Sequence, residues 1–277
     1  MKEGFDFTYE VNTSMEGALR EALATLGNFE QLLRSRNVAP KSIVAVLPDI
    51  KLCCEPLLSN LDQMRRISTR TLSEEQDQCT KIGQFLRKHV DDLELALTVP
   101  PKRALSARHR LQLESTVMRA RRRMSGILPL LQLCRDAPRH PCPQIDVGEL
   151  LLLCRSGDQP TTPHSRQVLA KLAIVPGSYR LVASPRAVLN LIGLIGALVS
   201  HKSPDNKELR IALTSTVTSR RLSIQMGSCD GPELPLVLPP IVEPTDAAVR
   251  SATRLLGLEV VDEPGAVHLS WTAPSTG

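Results

Sequence analysis

The sequence is poor in aromatic residues, which make up 3% of its 277 residues and include a single tryptophan. The hydrophobic fraction of 42% still supports a core, so Leu, Val, Ile and Ala must fill it, as is common in helical bundles. The longest apolar run, residues 187–199, is too short to span a bilayer and contains Asn190. Residues 1–11 carry acidic side chains and no apolar run, which is not typical of a secretory signal. We therefore expect a cytoplasmic protein that does not insert into a membrane.

Paired cysteine motifs are also missing. The seven cysteines are odd in number and irregularly spaced, and neither a Cys-x-x-Cys motif nor a pair of histidines accompanies them. This pattern argues against a zinc site and fits scattered thiols in a reducing cytoplasm. We expect neither a metal nor a cofactor. We interpret the cysteines as small buried hydrophobic residues.

Positive charge is concentrated in one part of the chain. The net charge is +5, but residues 101–141 carry ten Lys and Arg residues against Glu114 and Asp136, a local balance of +8. The rest of the chain is therefore net acidic. This asymmetry predicts one basic surface on the molecule.

Helical periodicity dominates the first 135 residues. Apolar residues recur at helical spacing in four segments, residues 14–36, 41–67, 73–98 and 106–134. Pro48 and Pro56 are expected to bend the second helix, and Pro129 is expected to kink the fourth. Four helices joined by short turns predict an antiparallel bundle.

The second half of the chain has a different pattern. Pro138, Pro141 and Pro143 form a stiff linker, which predicts a boundary between a helical domain at residues 1–136 and a second domain at residues 144–277. In the second domain, apolar and polar residues alternate over 209–217, 221–226 and 267–271, as in half-buried antiparallel strands, and helices are predicted over 145–153, 185–200 and 246–256. The chain is thus predicted to have an α+β fold, in which an α/β sandwich follows the bundle.

The order of these elements resembles the core of two-component histidine kinases over about residues 70–274. Residues 145–151, which follow the third and fourth predicted helices, resemble the passage from the kinase hairpin to its ATPase domain. Ser184 and Pro185, followed by Asn190, are similar to the start of the helix that carries metal-binding asparagines. The resemblance implies a hairpin with a phospho-accepting histidine, a homodimer, and receiver domains as partners.

The matching positions lack the nucleotide-binding residues of that family. Its kinases hold Mg²⁺ with two asparagines four residues apart, whereas Asn190 is followed at that spacing by Leu194. The adenine-binding Asp-x-Gly-x-Gly motif is matched by residues 229–233, with Cys229 in the carboxylate position and Glu233 in place of a glycine. The stretch before the last helix is too short for a structured glycine-rich lid. The resemblance therefore implies a degenerate ATPase-like domain without ATP-dependent kinase activity.

His89 is the candidate phospho-acceptor. It lies beside the apolar stripe of the third predicted helix, and we expect it to be exposed, so that its imidazole can take a phosphoryl group from a receiver aspartate. Lys88 or Arg87 could balance the phosphate charge, and Asp91 or Asp92 could orient the ring. Kinases of the family have an acidic residue directly after the histidine, whereas Val90 follows here. The alternative is an ordinary surface histidine, and His109 is a second-choice acceptor.

An arginine run in the fourth predicted helix is the candidate partner-binding surface. It could dock an acidic receiver domain, whose phosphorylation site consists of carboxylates, or it is a solvated helix face. Nucleic-acid binding is not expected, because no aromatic residues interleave with the arginines. The run consists of Arg119, Arg121, Arg122 and Arg123.

Two functions follow from these features. The first is a histidine phosphotransferase of a phosphorelay, which exchanges phosphate with receiver domains and does not bind ATP. The second is a non-catalytic, pseudokinase-like adaptor that binds and regulates a response regulator or a kinase. The two differ in whether His89 is needed. The helices before residue 70 either complete a four-helix bundle within one chain, or form a separate surface while the hairpin pairs in a homodimer.

Overall fold

The computed structural model describes residues 2–35, 40–68, 74–98, 106–137, 142–156, 172–202, 208–227 and 238–272. These residues form two compact units, one built from the first four helices and one that contains the strands. The predicted α+β fold class, with a helical bundle and an α/β sandwich, is confirmed. None of the helices in these segments is long and apolar enough to cross a membrane.

The first unit is a four-helix bundle made of α1 (Lys2–Arg34), α2 (Pro40–Ser68), α3 (Glu74–Leu97) and α4 (Ala107–Ser125). Each helix packs against two others, in the cyclic order α1–α2–α3–α4–α1. Neighbouring helices run antiparallel: Ser14 of α1 donates to Asn60 of α2, and Arg34 at the end of α1 pairs with Glu114 in the first half of α4. The bundle core is therefore completed within one chain, and a homodimer stays a prediction.

The start of the first predicted helix is corrected, whereas the bend predicted at Pro48 and Pro56 stays a prediction. α1 begins at Lys2 rather than at residue 14, since residues 2–13 contain no proline that would end it. α2 continues through Pro48 and Pro56, which both lie on its exposed side. The carbonyl groups four residues before each proline belong to Val44 and Leu52. These residues are also exposed, so water can satisfy the acceptors that the prolines leave without a donor.

The fourth predicted helix is in fact two helices. α4 ends at Ser125, and α5 (Leu128–Asp136) begins after a break of two residues. Pro129 cannot donate to the carbonyl of Ser125, and its ring crowds that carbonyl, so the helical hydrogen bonding ends one turn before the proline. At the other end of α4, the Oγ of Ser106 accepts a hydrogen bond from the backbone N–H of His109 at 3.2 Å and caps the helix.

The second unit is an α/β sandwich. Its helices are α6 (Val147–Ser156), α7 (Pro185–Lys202) and α8 (Thr245–Leu255), and its strands are β1 (Gln144–Asp146), β2 (Leu172–Ile174), β3 (Arg180–Val182), β4 (Glu208–Ser215), β5 (Ser219–Gly227), β6 (Glu259–Glu263) and β7 (Ala266–Thr272). One sheet has the order β2–β4–β5–β7–β6; β2 is parallel to β4, and the other neighbours are antiparallel. β1 and β3 form a separate antiparallel pair. α7 covers β5 and β7 and packs against α8, which also contacts β6.

The register of this sheet explains the alternating pattern of the sequence. Leu213, Leu222 and Leu269 lie side by side on β4, β5 and β7 and are buried. Ser223 and His268 follow in register on the opposite face, because successive side chains of a strand alternate. The predicted strands and helices of this unit agree with the structure to within two residues at each end, except at α6. Residues 145 and 146 belong to β1, and the helix continues to Ser156, three residues beyond its predicted end.

Part of the predicted linker lies outside the described residues. Pro138 and Pro141 belong to that part, so the domain boundary between residues 136 and 144 stays a prediction. Among the described cysteines, Cys54 and Cys154 are buried, as predicted, whereas Cys134 and Cys142 are half-buried. The remaining cysteine side chains lie outside the described part of the chain.

Candidate functional site

His89 is buried in the helical bundle. It follows Phe85 by one helical turn and Ile82 by two, so it belongs to the stripe that α3 turns toward the core. The residue is 7% exposed, and its ring meets that of Phe85 edge to face, with centroids 4.5 Å apart. The prediction of an exposed ring beside the apolar stripe is therefore wrong.

The two ring nitrogens of His89 have different surroundings. Nδ1 lies 3.9 Å from Oδ2 of Asp92, which is too long for a hydrogen bond. Nε2 is buried and has no hydrogen-bond partner among the described residues. A buried polar atom without a partner is costly, and a buried charge without one costs more. The surroundings of the ring therefore favour its neutral form.

Electrostatics act in the same direction. Burial lowers the pKa of His89, and the positive charge of Arg123 on α4 lowers it further. The carboxylate of Asp92 partly opposes this shift, and Lys88 adds to it. His89 is therefore a neutral core residue at pH 7.

We expect the stability of the bundle to decrease on acidification in a way that depends on His89. In the unfolded chain this histidine binds a proton near pH 6.5, whereas in the folded bundle it binds one at lower pH. The unfolded state holds more protons between the two values. The neutral ring therefore makes its full contribution to the free energy of unfolding above about pH 6.5. This contribution is lost as the pH falls toward and through the pKa of His89 in the folded protein.

Urea unfolding of the wild type, His89→Leu and His109→Leu across this range checks the expectation. His109 is exposed near the start of α4 and provides the matched control. The wild type should lose unfolding free energy relative to His89→Leu as the pH falls below about 6.5, while His109→Leu follows the wild type. Three parallel curves would show that His89 is not a buried neutral residue.

The four arginines of the predicted run divide into one that is bound within the bundle and three that are not. Arg121 is half-buried, and its Nε lies 3.0 Å from Oε2 of Glu30 on α1. Arg119, Arg122 and Arg123 are exposed, and no described carboxylate pairs with them. Residues spaced by three and four lie next to each other on a helix, so these three form one basic surface, here called the arginine face. Arg121 does not belong to it.

Glu30 is a buried carboxylate that the sequence patterns did not single out. Its side chain is 4% exposed, and Nη2 of Arg34 lies 2.7 Å from its Oε1. The contact of Arg121 with Oε2 is an ion pair without hydrogen-bond geometry. Gly27 leaves room for Arg121, because a Cβ there would lie 2.8 Å from Nη1 of the guanidinium. The spacing of Glu30 and Arg34 is visible in the sequence, but the contact with α4 is not.

The other predicted site residues are on the surface. Lys88 and Asp91 are exposed on α3, and the carboxylate that approaches the His89 ring belongs to Asp92. His109 is exposed, with Nδ1 2.8 Å from Oγ of Ser106. None of these residues makes His89 accessible.

The matched nucleotide-binding positions of the second unit are only partly described. Asn190 is half-buried on α7, and Leu194 is fully buried in the core. A buried leucine offers no ligand for a metal ion. Residues 229–233 lie outside the described residues. Within the described segments, no group of three or more His, Cys, Asp or Glu side chains could hold a metal.

Comparison with solved structures finds similarity to histidine kinases and to a bacterial phosphotransferase. The histidine kinase AdeS of Acinetobacter baumannii is 11% identical, with a TM-score of 0.33 over 70% of this chain and 95% of that one. A bacterial phosphotransferase is 15% identical, with a TM-score of 0.32 over 72% and 97%. A histidine kinase of Burkholderia phymatum STM815 is 12% identical, with a TM-score of 0.34 over 73% and 99%. Similarity at this level assigns no family to the chain.

No protein-family model and no curated protein sequence matches the chain.

Proposed function

We propose that this chain is a non-catalytic adaptor of two-component-type signalling, which binds an acidic receiver domain through the arginine face. The observation that carries the proposal is that Arg119, Arg122 and Arg123 are exposed side by side, with no described carboxylate paired to them. Like charges at this spacing repel one another, so binding of an acidic partner reduces an electrostatic repulsion that is present in the free protein. The carboxylates around a receiver phosphorylation site have the complementary charge.

Two apolar residues favour a protein partner over a nucleic acid. Leu111 and Met118 are 67% and 43% exposed and lie two turns apart on the same side of α4 as Arg119 and Arg122. Methionine and arginine are enriched in protein interfaces. Nucleic-acid surfaces instead interleave aromatic side chains with basic ones, and α4 contains no aromatic residue.

The adaptor acts by binding to the surface of its partner and uses no ATP. The buried Leu194 stands where a second metal-binding asparagine would be needed, which supports this part of the proposal. Binding of the arginine face to carboxylates of the receiver would block access to the phosphorylation site or to a kinase. No phosphoryl group passes through this chain.

A histidine phosphotransferase is the second candidate, and one observation favours it. Nε2 of His89 is neutral and has no described partner, as a nucleophile requires, and the charge of Arg123 is nearby. For this function, the ring would have to leave the core and lose its contact with Phe85. Because the His89 ring is buried, we favour the adaptor function over the phosphotransferase function.

A combined binding and transfer assay tests the proposal. Receiver domains of the source genome are phosphorylated with a radioactive label and mixed with the wild type or His89→Ala. We expect a complex with an acidic receiver for both proteins, and no acid-labile label on this chain. Label on the wild type that is absent from His89→Ala would establish the phosphotransferase instead. Failure of every acidic receiver to bind would overturn both functions.

A further inference from the structure

The strand β1 forms backbone hydrogen bonds with only one of the two edges of β3. At the two ends of the β1–β3 pair, the N–H of Val147 donates to the carbonyl of Tyr179 at 3.0 Å, and the N–H of Ala183 donates to the carbonyl of Pro143 at 3.1 Å. In an antiparallel pair, alternate residues direct their backbone groups toward the partner strand. Arg180 and Val182 therefore direct theirs to the opposite edge, away from β1.

This free edge still has backbone groups available. The indole Nε1 of Trp271 donates a hydrogen bond to the backbone carbonyl of Arg180 at 3.0 Å. This hydrogen bond holds the Trp271 side chain beside the free edge of β3. The N–H and C=O groups of Val182 have no partner among the described residues. The side chain of Val182 is exposed as well. Unpaired groups of this kind are a template for another extended chain.

An open groove of about 310 Å³ runs beside the edge. Its apolar floor is formed by buried Leu181, Leu256 and Trp271. Gly257, two residues after the end of α8, has a φ of +67°, and a Cβ there would meet nothing within 4 Å, so the groove is open over this residue. The volume is at the lower end of the range for ligand sites and suits one or two large apolar side chains.

Arg180 is the charged residue of the groove. Its side chain is exposed, and the other lining residues are apolar or uncharged: Leu181, Val182, Leu255, Leu256, Gly257, Trp271 and Thr272. A ligand that places a carboxylate beside Arg180 meets the complementary charge without an acidic competitor in the lining.

We propose that this groove binds an extended acidic peptide segment of a partner protein, which adds as a strand to the free edge of β3. The backbone of Val182 pairs with the peptide, the apolar floor takes one large side chain, and Arg180 pairs with an Asp or Glu of the peptide. The site belongs to the second unit and shares no residue with the arginine face, so the inference does not depend on the proposed adaptor function.

Selection from a random heptapeptide display library against the full chain tests the inference. We expect enriched peptides to contain Asp or Glu together with a large apolar residue, in alternation with other residues. Their affinities are then measured by fluorescence anisotropy. Val182→Pro, which removes the free N–H, and Arg180→Glu are each expected to weaken binding about tenfold.

Gln144→Pro is the matched control. Gln144 lies opposite Val182 in the β1–β3 register, and its backbone groups point away from β3 and the groove. This variant should bind like the wild type. If Val182→Pro does not fold, as judged by circular dichroism, Arg180→Glu still decides, because it alters an exposed side chain and leaves the backbone unchanged.

Three outcomes overturn the inference. No peptide is enriched; or the enriched peptides bind Arg180→Glu and Val182→Pro as tightly as the wild type; or sedimentation shows self-association that Val182→Pro abolishes. The last outcome would make a second copy of this chain the occupant of the groove.

Discussion

Replacing Arg119 and Arg122 together by glutamate is expected to weaken binding of an acidic receiver domain about a hundredfold. Both side chains are exposed, and the substitution breaks no ion pair among the described residues of the bundle. In the complex, each glutamate would place a negative charge against the carboxylates of the partner. Titration calorimetry at an ionic strength of about 50 mM, where screening is weak, measures the effect.

A second double variant separates the arginine face from the net charge of the protein. Arg155 and Lys202 are exposed in the second unit, and replacing both by glutamate changes the net charge by the same amount. We expect this control to lose no more than about threefold in affinity, through long-range attraction alone. Equal losses in both double variants would mean that the partner responds to overall charge and that α4 is not the binding surface.

Glu30→Ala is expected to lower the free energy of unfolding by about 2 kcal/mol. The carboxylate is almost completely buried between Arg34 and Arg121, and it connects α1 to α4. Its removal leaves Arg121 without its described partner and Arg34 with Glu114 alone, although both guanidinium groups can partly reach water. Chemical unfolding followed by circular dichroism measures the loss.

Glu114→Ala is the control for Glu30. Glu114 pairs with the same Arg34 at 3.0 Å, but its side chain is 24% exposed. Ion pairs near the surface contribute little, so a loss of no more than about 1 kcal/mol is expected. If the two variants lose the same stability, the buried position of Glu30 makes no difference.

The repeating patterns of the sequence predicted most of the fold. The apolar residues of α3 recur at helical spacing, and Leu213 and Leu222 belong to alternating strands, so both features can be seen without any knowledge of tertiary contacts. Pro129 marked the interruption near the end of α4, although the structure breaks the helix there rather than kinking it. Such features depend on residues that are close together in the sequence, so they can be predicted without knowing which distant segments are in contact.

The candidate site was less predictable, because it depends on contacts between distant segments. His89 is polar, and a polar residue next to an apolar stripe suggests exposure, but the packing of α4 against α3 buries the ring. Arg121 and Arg122 are neighbours in sequence, yet only Arg121 meets the buried Glu30. The sequence does not show how α4 is rotated about its axis. This rotation determines that Arg121 faces Glu30 and that Arg122 faces the solvent.

The affinity of the wild type for an acidic receiver domain, measured over a series of salt concentrations, tests most directly whether the arginine face binds by charge and without His89. We predict that binding weakens steadily, by about tenfold or more, between about 50 and 300 mM salt, because the pairs are exposed and therefore screened. His89→Ala should follow the same curve. An affinity that does not change with salt, or that is lost in His89→Ala, would contradict this mode of binding.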